Sequence, residues 1–284
     1  MTEYPGQPMF ESAVLLTLIL AILLFSILEN LLPRLQPRAA LNSRWPANIV
    51  LFILTFAVAY IMLPVTAWLL ASWYGQFGFT GLIPADWPLS ARVFSAVLMI
   101  DLGGYWLHRF SHFFIPLWRL HRVHHSDGDM DFTTGYRHHP LEVVIGVLFR
   151  VLMIVMLAPH WLGLAVHDML RAFVDIFSHA NIRIHPAAER VIRLIFITPD
   201  MHRVHHSDWQ PQTDSNYGSL FSFWDRLFRS YRNVPLEEQQ AMGLGQGMRQ
   251  SDPLLRAMGV LRQPFISRRE LDQEGFRIER SDSK

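Results

Sequence analysis

Eight histidines in three groups carry the strongest chemical signal in this sequence. They are His108-Arg-Phe-Ser-His112, His121-Arg-Val-His124-His125 and His202-Arg-Val-His205-His206. Residues three and four apart on a helix share a face, with Cβ atoms about 5–6 Å apart. Each group can therefore aim two or three imidazoles at one point. Neutral imidazole ligates iron, zinc, copper and nickel. So many polar rings packed together serve no purpose in a core. Eight ligands exceed the needs of one ion, whereas two ions of about four to six coordination would use roughly eight to ten. Two further candidates complete the set. Asp175 and His179 are spaced i, i+4, and His179 is taken as a ligand. His138 and His139 precede Pro140 and Glu142, and His139 is taken as the ligand of that pair. The expected metal ligands, which are also the residues expected to carry catalysis apart from His139, are thus His108, His112, His121, His124, His125, His139, His179, His202, His205 and His206.

The remaining histidines lack ligand partners at helical spacing: His160 and His185 read as surface or interfacial, and His167 as facing a helical hairpin. A ligating histidine usually donates its other N–H to a carboxylate or carbonyl. Asp101, Asp127, Asp131 and Asp208 are candidates for that role, while Asp129 reads as a solvated loop acid. Arg109, Arg122 and Arg203 lie between ligands and are expected to pair with those acids or with lipid headgroups.

Apolar stretches must position these groups. Residues 10–33 form a run long enough to cross a bilayer, for which a helix needs about 20 apolar residues. No basic segment precedes it and no small-x-small site follows it, so it reads as a retained helix. Further spans run over about 48–73, 91–106, 141–158 and, more polar, 161–177; the last two are expected to form a hairpin joined at Pro159 with its polar side facing protein. Arg34, Arg38 and Arg44 mark one loop as cytoplasmic, and Arg109, Arg119, Arg122 and Arg137 mark the histidine segment the same way; the loop 74–90 has no basic residue. The histidines should then face the cytoplasm and the N-terminus the outside. Gly103 and Gly104 read as positions of close helix packing. The expectation is an all-α integral membrane bundle of about four to five membrane helices, with residues 1–232 as the metal-binding domain and 233–284 as a polar cytosolic tail.

Composition agrees. Of 284 residues, 51% are hydrophobic and 17% charged, against about 25% charged in average soluble domains. The net charge of +1 gives no field that would draw nucleic acid. The absence of cysteine excludes disulfides, thiolate zinc sites and cysteine-held iron–sulfur clusters. Two rival classes fit less well. A membrane zinc hydrolase would use three protein ligands and a glutamate base, and no H-E-x-x-H occurs. A haem or metal carrier would need only one or two axial histidines.

At this point the sequence resembles the fatty acid hydroxylase / sterol desaturase superfamily of membrane di-iron oxygenases. The pattern H-x3-H, H-x2-HH, H-x2-HH is matched at all eight positions. VHHSDGDMDFTTGYRHHPLE, FSHANI and NYGSLFSFWDRLF also match, so the resemblance covers about residues 100–231. It implies two iron ions, four or so membrane helices and a cytosolic helical cap holding the histidine-rich site. It also implies His179 as a further ligand, and O2-dependent hydroxylation, desaturation or ether cleavage of a lipid-like substrate: fatty acyl, sterol-like or ether lipid. Some relatives carry a histidine where this chain has Asp175. A separate electron donor (ferredoxin, cytochrome or reductase) is implied, and the inner membrane of a bacterium is the expected setting. Phe113, Phe114, Trp118 and Tyr217 are expected to line the substrate pocket, Asn216 to bond a ligand or metal-bound water, and Trp224-Asp225-Arg226 to dock the last helix on the clusters.

Overall fold

Proline and capping side chains set where the apolar runs start and stop as helices. In the computed structural model, which describes residues 7–36, 41–77, 81–235, 238, 242 and 253–266, α1 (Gln7–Leu31) ends two residues before Pro33. It is followed by α2 (Leu41–Phe77), α3 (Leu89–Phe113) and α4 (Ile115–His125), the last with proline in its first turn. A 3-10 turn (Phe132–Tyr136) leads to α5 (Pro140–Leu157) and α6 (Trp161–His179). Shorter helices follow: α7 (Pro186–Ile192), α8 (Pro199–His205), α9 (Gln210–Thr213), α10 (Phe223–Leu227) and α11 (Pro253–Arg262). Pro140, Pro186 and Pro199 stand at helix starts, where the missing N–H costs nothing. Among the described residues there is no strand, only isolated bridges such as Pro33 with Ile182.

Stretches of α1 (Ser12–Leu31), α2 (Arg44–Met62) and α5 (Pro140–Leu157) are long and apolar enough to cross a membrane, and at most 22% of any of them is buried in protein. Leu16, Leu23, Ile53 and Leu152 each leave half or more of their surface uncovered. Apolar faces of this extent are what a bilayer covers. The expected spans at 91–106 and 161–177 fall within α3 and α6. Charges such as Arg92 and Asp101 on α3, and Asp168, Arg171 and Asp175 on α6, keep these two out of the lipid-compatible set. They pack inward instead: α6 lies against α1 and α3, and α5 against α2 and α3. Gly103 makes room for this, since a Cβ there would meet Met153 Cε at 2.8 Å.

The α5–α6 hairpin turns at Ala158–His160, with Ala158 in the left-handed region (φ 44°) and His160 accepting from Leu162 N as the cap of α6. The loop before α3 is stitched to this turn through Leu82 N to Met156 O and Ile83 N to Leu157 O. Below the site, Ala21 and Phe25 of α1 pack with Phe132, Ile176 and Ala180. Above it, Val260 of α11 packs with Leu51 of α2 and Val123 of α4.

Candidate metal centre

The two HRVHH motifs face each other across the nest. In α4, His121 and His125 point one way and His124 the other. In α8 and its cap, His205 points one way, His202 and His206 the other. Two adjacent donor groups result: His108, His112, His121, His125 and His205, and beside them His124, His179, His202 and His206. Within each group the nitrogens offered as ligands lie within 4.8 Å of one another. The groups touch directly, with the His125 and His206 rings stacked at 4.5 Å and those of His124 and His206 also 4.5 Å apart. Nine of the ten expected ligands thus converge.

The outer nitrogens of several rings are held by acceptors. His108 Nδ1 faces Tyr217 O at 2.8 Å, His205 Nδ1 faces Ser215 O at 2.7 Å, and His179 Nδ1 faces Asp175 O at 2.7 Å. His121 Nδ1 faces Glu142 Oε1 at 2.7 Å. Carbonyls and carboxylates only accept, so these Nδ1 atoms donate and each Nε2 is left as a bare lone pair. His108 Nε2 and His121 Nε2 nevertheless lie 3.1 Å apart. Two lone pairs cannot bond to each other at that distance; a cation between them resolves the conflict. The buried Nε2 atoms of His112 and His205 have no partner at all. Burial first, and neighbouring imidazoles second, push His112, His124, His125 and His206 well below the ordinary histidine range. His205 is pushed down to about 3 and His179 to about 4, again mainly by burial. The rings are held neutral, the form that binds metal. A donor set of nine imidazoles suits iron, zinc or copper.

His139 departs from expectation. Its Nδ1 caps α5 by accepting from Leu141 N, and its Nε2 faces Leu261 O at 3.2 Å, so it lies outside both groups. Its neighbour His138 is also outside those two groups; it stacks on His124 at 4.6 Å, lies 3.2 Å from Glu142 Oε2, and forms a third, smaller cluster with His121 and Glu142. Asp175 also stays outside both groups, its carboxylate held 2.6 Å from Arg171 Nε while its backbone serves His179.

Asp101, Asp127 and Asp131 brace backbone and helices rather than rings. Asp127 and Asp131 clamp Arg44 of α2, at 2.6 and 2.7 Å, all three buried. Asp101 accepts from the backbone of Leu220 and Phe221 and from Trp224 Nε1. Arg122 bonds the carbonyl of Gln263, and Arg109 that of Phe228, where acids or headgroups were expected. Asn216, at φ 53°, bonds Met201 O and Arg232 on both its amide atoms rather than a ligand. Asp225 accepts from Tyr217 N, Gly218 N and Ser230 Oγ. Between them they fix the 215–218 loop whose carbonyls hold His205 and His108. The expected pocket aromatics do not line the cavity. Phe113 is 75% and Phe114 48% exposed, and Trp118 and Tyr217 pack on the His112 ring at 5.0 and 5.1 Å. A cavity of about 380 Å³ instead runs from His108, His121, His124, His179 and His202 between α3, α5 and α6.

Glu142, His138 and the loop carbonyls were not singled out from sequence. Glu142 had a signal available: it stands four residues after His138 at the start of a helix.

A family model for fatty acid hydroxylase matches residues 93–230, the segment holding every histidine of both groups. Over that segment this chain is similar to the fatty acid hydroxylase family. Its relatives include the ornithine lipid hydroxylase OlsE of Rhizobium tropici, 28% identical over 166 residues, which are 57% of this chain and 48% of OlsE. Human alkylglycerol monooxygenase is 29% identical over 51% of this chain and 32% of its own length. The C-4 methylsterol oxidase of Schizosaccharomyces pombe is 24% identical over 70% and 67%. The matched region thus spans about half or less of the first two relatives. No solved structure matches the chain at a significant level.

Proposed function

We propose that this chain is a membrane oxidoreductase that holds two iron ions on His108, His112, His121, His125 and His205 and on His124, His179, His202 and His206, and uses O2 to hydroxylate or desaturate a lipid-like substrate. The observation that carries the reading is the pair of touching, all-imidazole donor groups whose inward lone pairs confront each other. Neither a three-ligand zinc hydrolase nor a haem carrier needs nine. Bound iron would supply O2 activation for attack on an unactivated C–H bond.

The chain's own residues hold the rings and shape the space. Glu142 and the carbonyls of Tyr217, Ser215 and Asp175 fix four imidazoles with Nε2 inward. Aliphatic side chains from α3, α4 and α5, among them Leu107, Leu117 and Val143, give an alkyl chain a dry path to the nest. The relatives' names, for an ornithine lipid, an alkylglycerol and a methylsterol, support a lipid-like substrate. Electrons come from a separate donor: ferredoxin, cytochrome or reductase. The histidines face the cytoplasm of a bacterial inner membrane, with α3 and α6 completing the membrane-embedded bundle and α7 to α10 the cytosolic cap.

The test is metal content and turnover together. Protein purified anaerobically from iron-fed cells should hold two irons per chain, and the His124→Ala, His205→Ala double variant far less. Reconstituted with a reductase, the wild type should consume O2 and oxidise a lipid from a panel of acyl, ether and sterol-like probes. One zinc per chain, unmoved by the double variant, would overturn the reading.

A further inference from the structure

Four glycines line the cavity beneath the histidines: Gly104, Gly135, Gly146 and Gly218. Two of them are required by packing. A Cβ on Gly135 would meet Asp175 O at 2.9 Å, and one on Gly218 would meet Phe221 O at 2.7 Å. The other two are not. Among the described residues, a Cβ on Gly146 would meet nothing within 4 Å, and one on Gly104 only Arg171 Nη1 at 4.0 Å. Gly104 thus differs from its neighbour Gly103, although the sequence reads both as positions of close packing.

Gly104 lies inside α3 and Gly146 inside α5. Within a helix glycine is the least favoured residue after proline. Neither position has the positive φ that would call for it. Neither contact nor backbone conformation therefore explains these two glycines, and what they leave is width. Ile100, Gly104 and His108 follow one face of α3, and Glu142, Gly146 and Arg150 one face of α5; all six line the cavity. A side chain at either glycine would project into the same space as its neighbours. Gly104 stands four residues before His108, and Gly146 four after Glu142, which holds the His121 ring. Each is one helical turn, about 6 Å of rise, from a group that touches the nest. The far end of the cavity is bordered by Ile100 and Met153, which pack in one cluster with Leu157. Side chains are thus withheld from both helices next to the rings and restored away from them. An unbranched alkyl chain has the same width along its whole length and gains nothing from such a local widening.

We propose that Gly104 and Gly146 are specificity-determining residues, which let a carbon segment wider than an unbranched alkyl chain reach the histidine nest. The proposal rests on the reading that this cavity receives the substrate, and adds the shape of the segment presented to the rings.

Calorimetric titration of the full chain in nanodiscs, against empty discs, tests it with three fatty acids that share one head group. They are unbranched palmitic acid, a palmitic acid with a mid-chain methyl branch, and a tridecanoic acid ending in a cyclohexyl ring. The wild type should bind at least one of the wide acids as tightly as palmitic acid. Gly146→Leu should lower the affinity for that wide acid, relative to palmitic acid, by about tenfold or more. Gly104→Ala and Gly146→Ala should both melt above the wild type, as helices do on losing a glycine that nothing requires. Gly135→Ala, whose Cβ meets backbone, should melt below it. An unchanged affinity ratio in Gly146→Leu, or alanine variants at 104 and 146 that melt below the wild type, would overturn the proposal. A wild type that binds palmitic acid but neither wide acid removes the width alone. One that binds none of the three removes the substrate cavity with it.

Discussion

Glu142 sits between two histidines, with one oxygen 2.7 Å from His121 Nδ1 and the other 3.2 Å from His138 Nδ1. It orients a ring in the five-donor group, and with His121 and His138 it also makes a third, smaller cluster of possible ligands. Glu142→Gln should therefore keep the fold and weaken metal retention about 10- to 100-fold, read by competition with a chelator. His139→Ala should leave both metals in place and lower stability by about 1 kcal/mol through loss of the α5 cap; metal analysis beside thermal melts would show it. Loss of metal in that variant would restore His139 to the ligand set. The convergence of nine histidines was legible because i, i+3 and i+4 spacing is a property of residue type and order. The choice between His138 and His139 was not. Both precede Pro140, and which ring turns inward is decided by the backbone entering α5. Nor could the sequence show that Tyr217, Ser215 and Asp175 hold rings through their carbonyls, since residue type does not specify where a backbone oxygen points.

At the scale of elements, the site is held by short segments pinned to long helices. The 3-10 turn passes so close to α6 that a Cβ on Gly135 would meet Asp175 O at 2.9 Å and His179 Nδ1 at 3.2 Å. Gly135→Ala must push α6 and its ligand aside, costing about 1–3 kcal/mol. Thermal unfolding should show that loss, with metal released first from the four-donor group that contains His179. The loop before this turn is pinned by Asp127 to Arg44. Burial pushes the Asp127 carboxyl up, but Arg44, by charge and hydrogen bond, together with Arg137, outweighs burial and holds it well below the ordinary aspartate value of 3.8. A depressed folded value means stability that is fully present above about pH 3.8 and lost as pH falls through the folded value. Asp127→Asn should be less stable than wild type at neutral pH, and the gap should narrow in acid; melts across pH would test this. Helix existence was legible from apolar runs. The inward packing of α3 and α6 was half legible, in the charges they carry; length and mean apolarity do not reveal which neighbour a helix meets.

For the whole molecule, three helices wear apolar coats and the histidine-bearing elements gather at one end of them. The chain has no cysteine, so single introduced thiols report topology without background. Asp86 and Asn233 are both exposed. Asp86→Cys should react with an impermeant maleimide on intact cells, and Asn233→Cys only after the membrane is opened. The reverse pattern would invert the proposed orientation.

The division of the two HRVHH motifs between the two donor groups also bears on how the protein is born. Each group draws on α8 or its cap: His205 completes one, His202 and His206 the other. A nascent chain that has passed through the membrane as far as α6 therefore presents five histidines of one pocket less one, and two of the other. Neither closes until residues 199–206 are synthesised and folded back onto α4. On the two-ion proposal, metal capture is a late, concerted event in biogenesis that waits for the docking of a seven-residue helix.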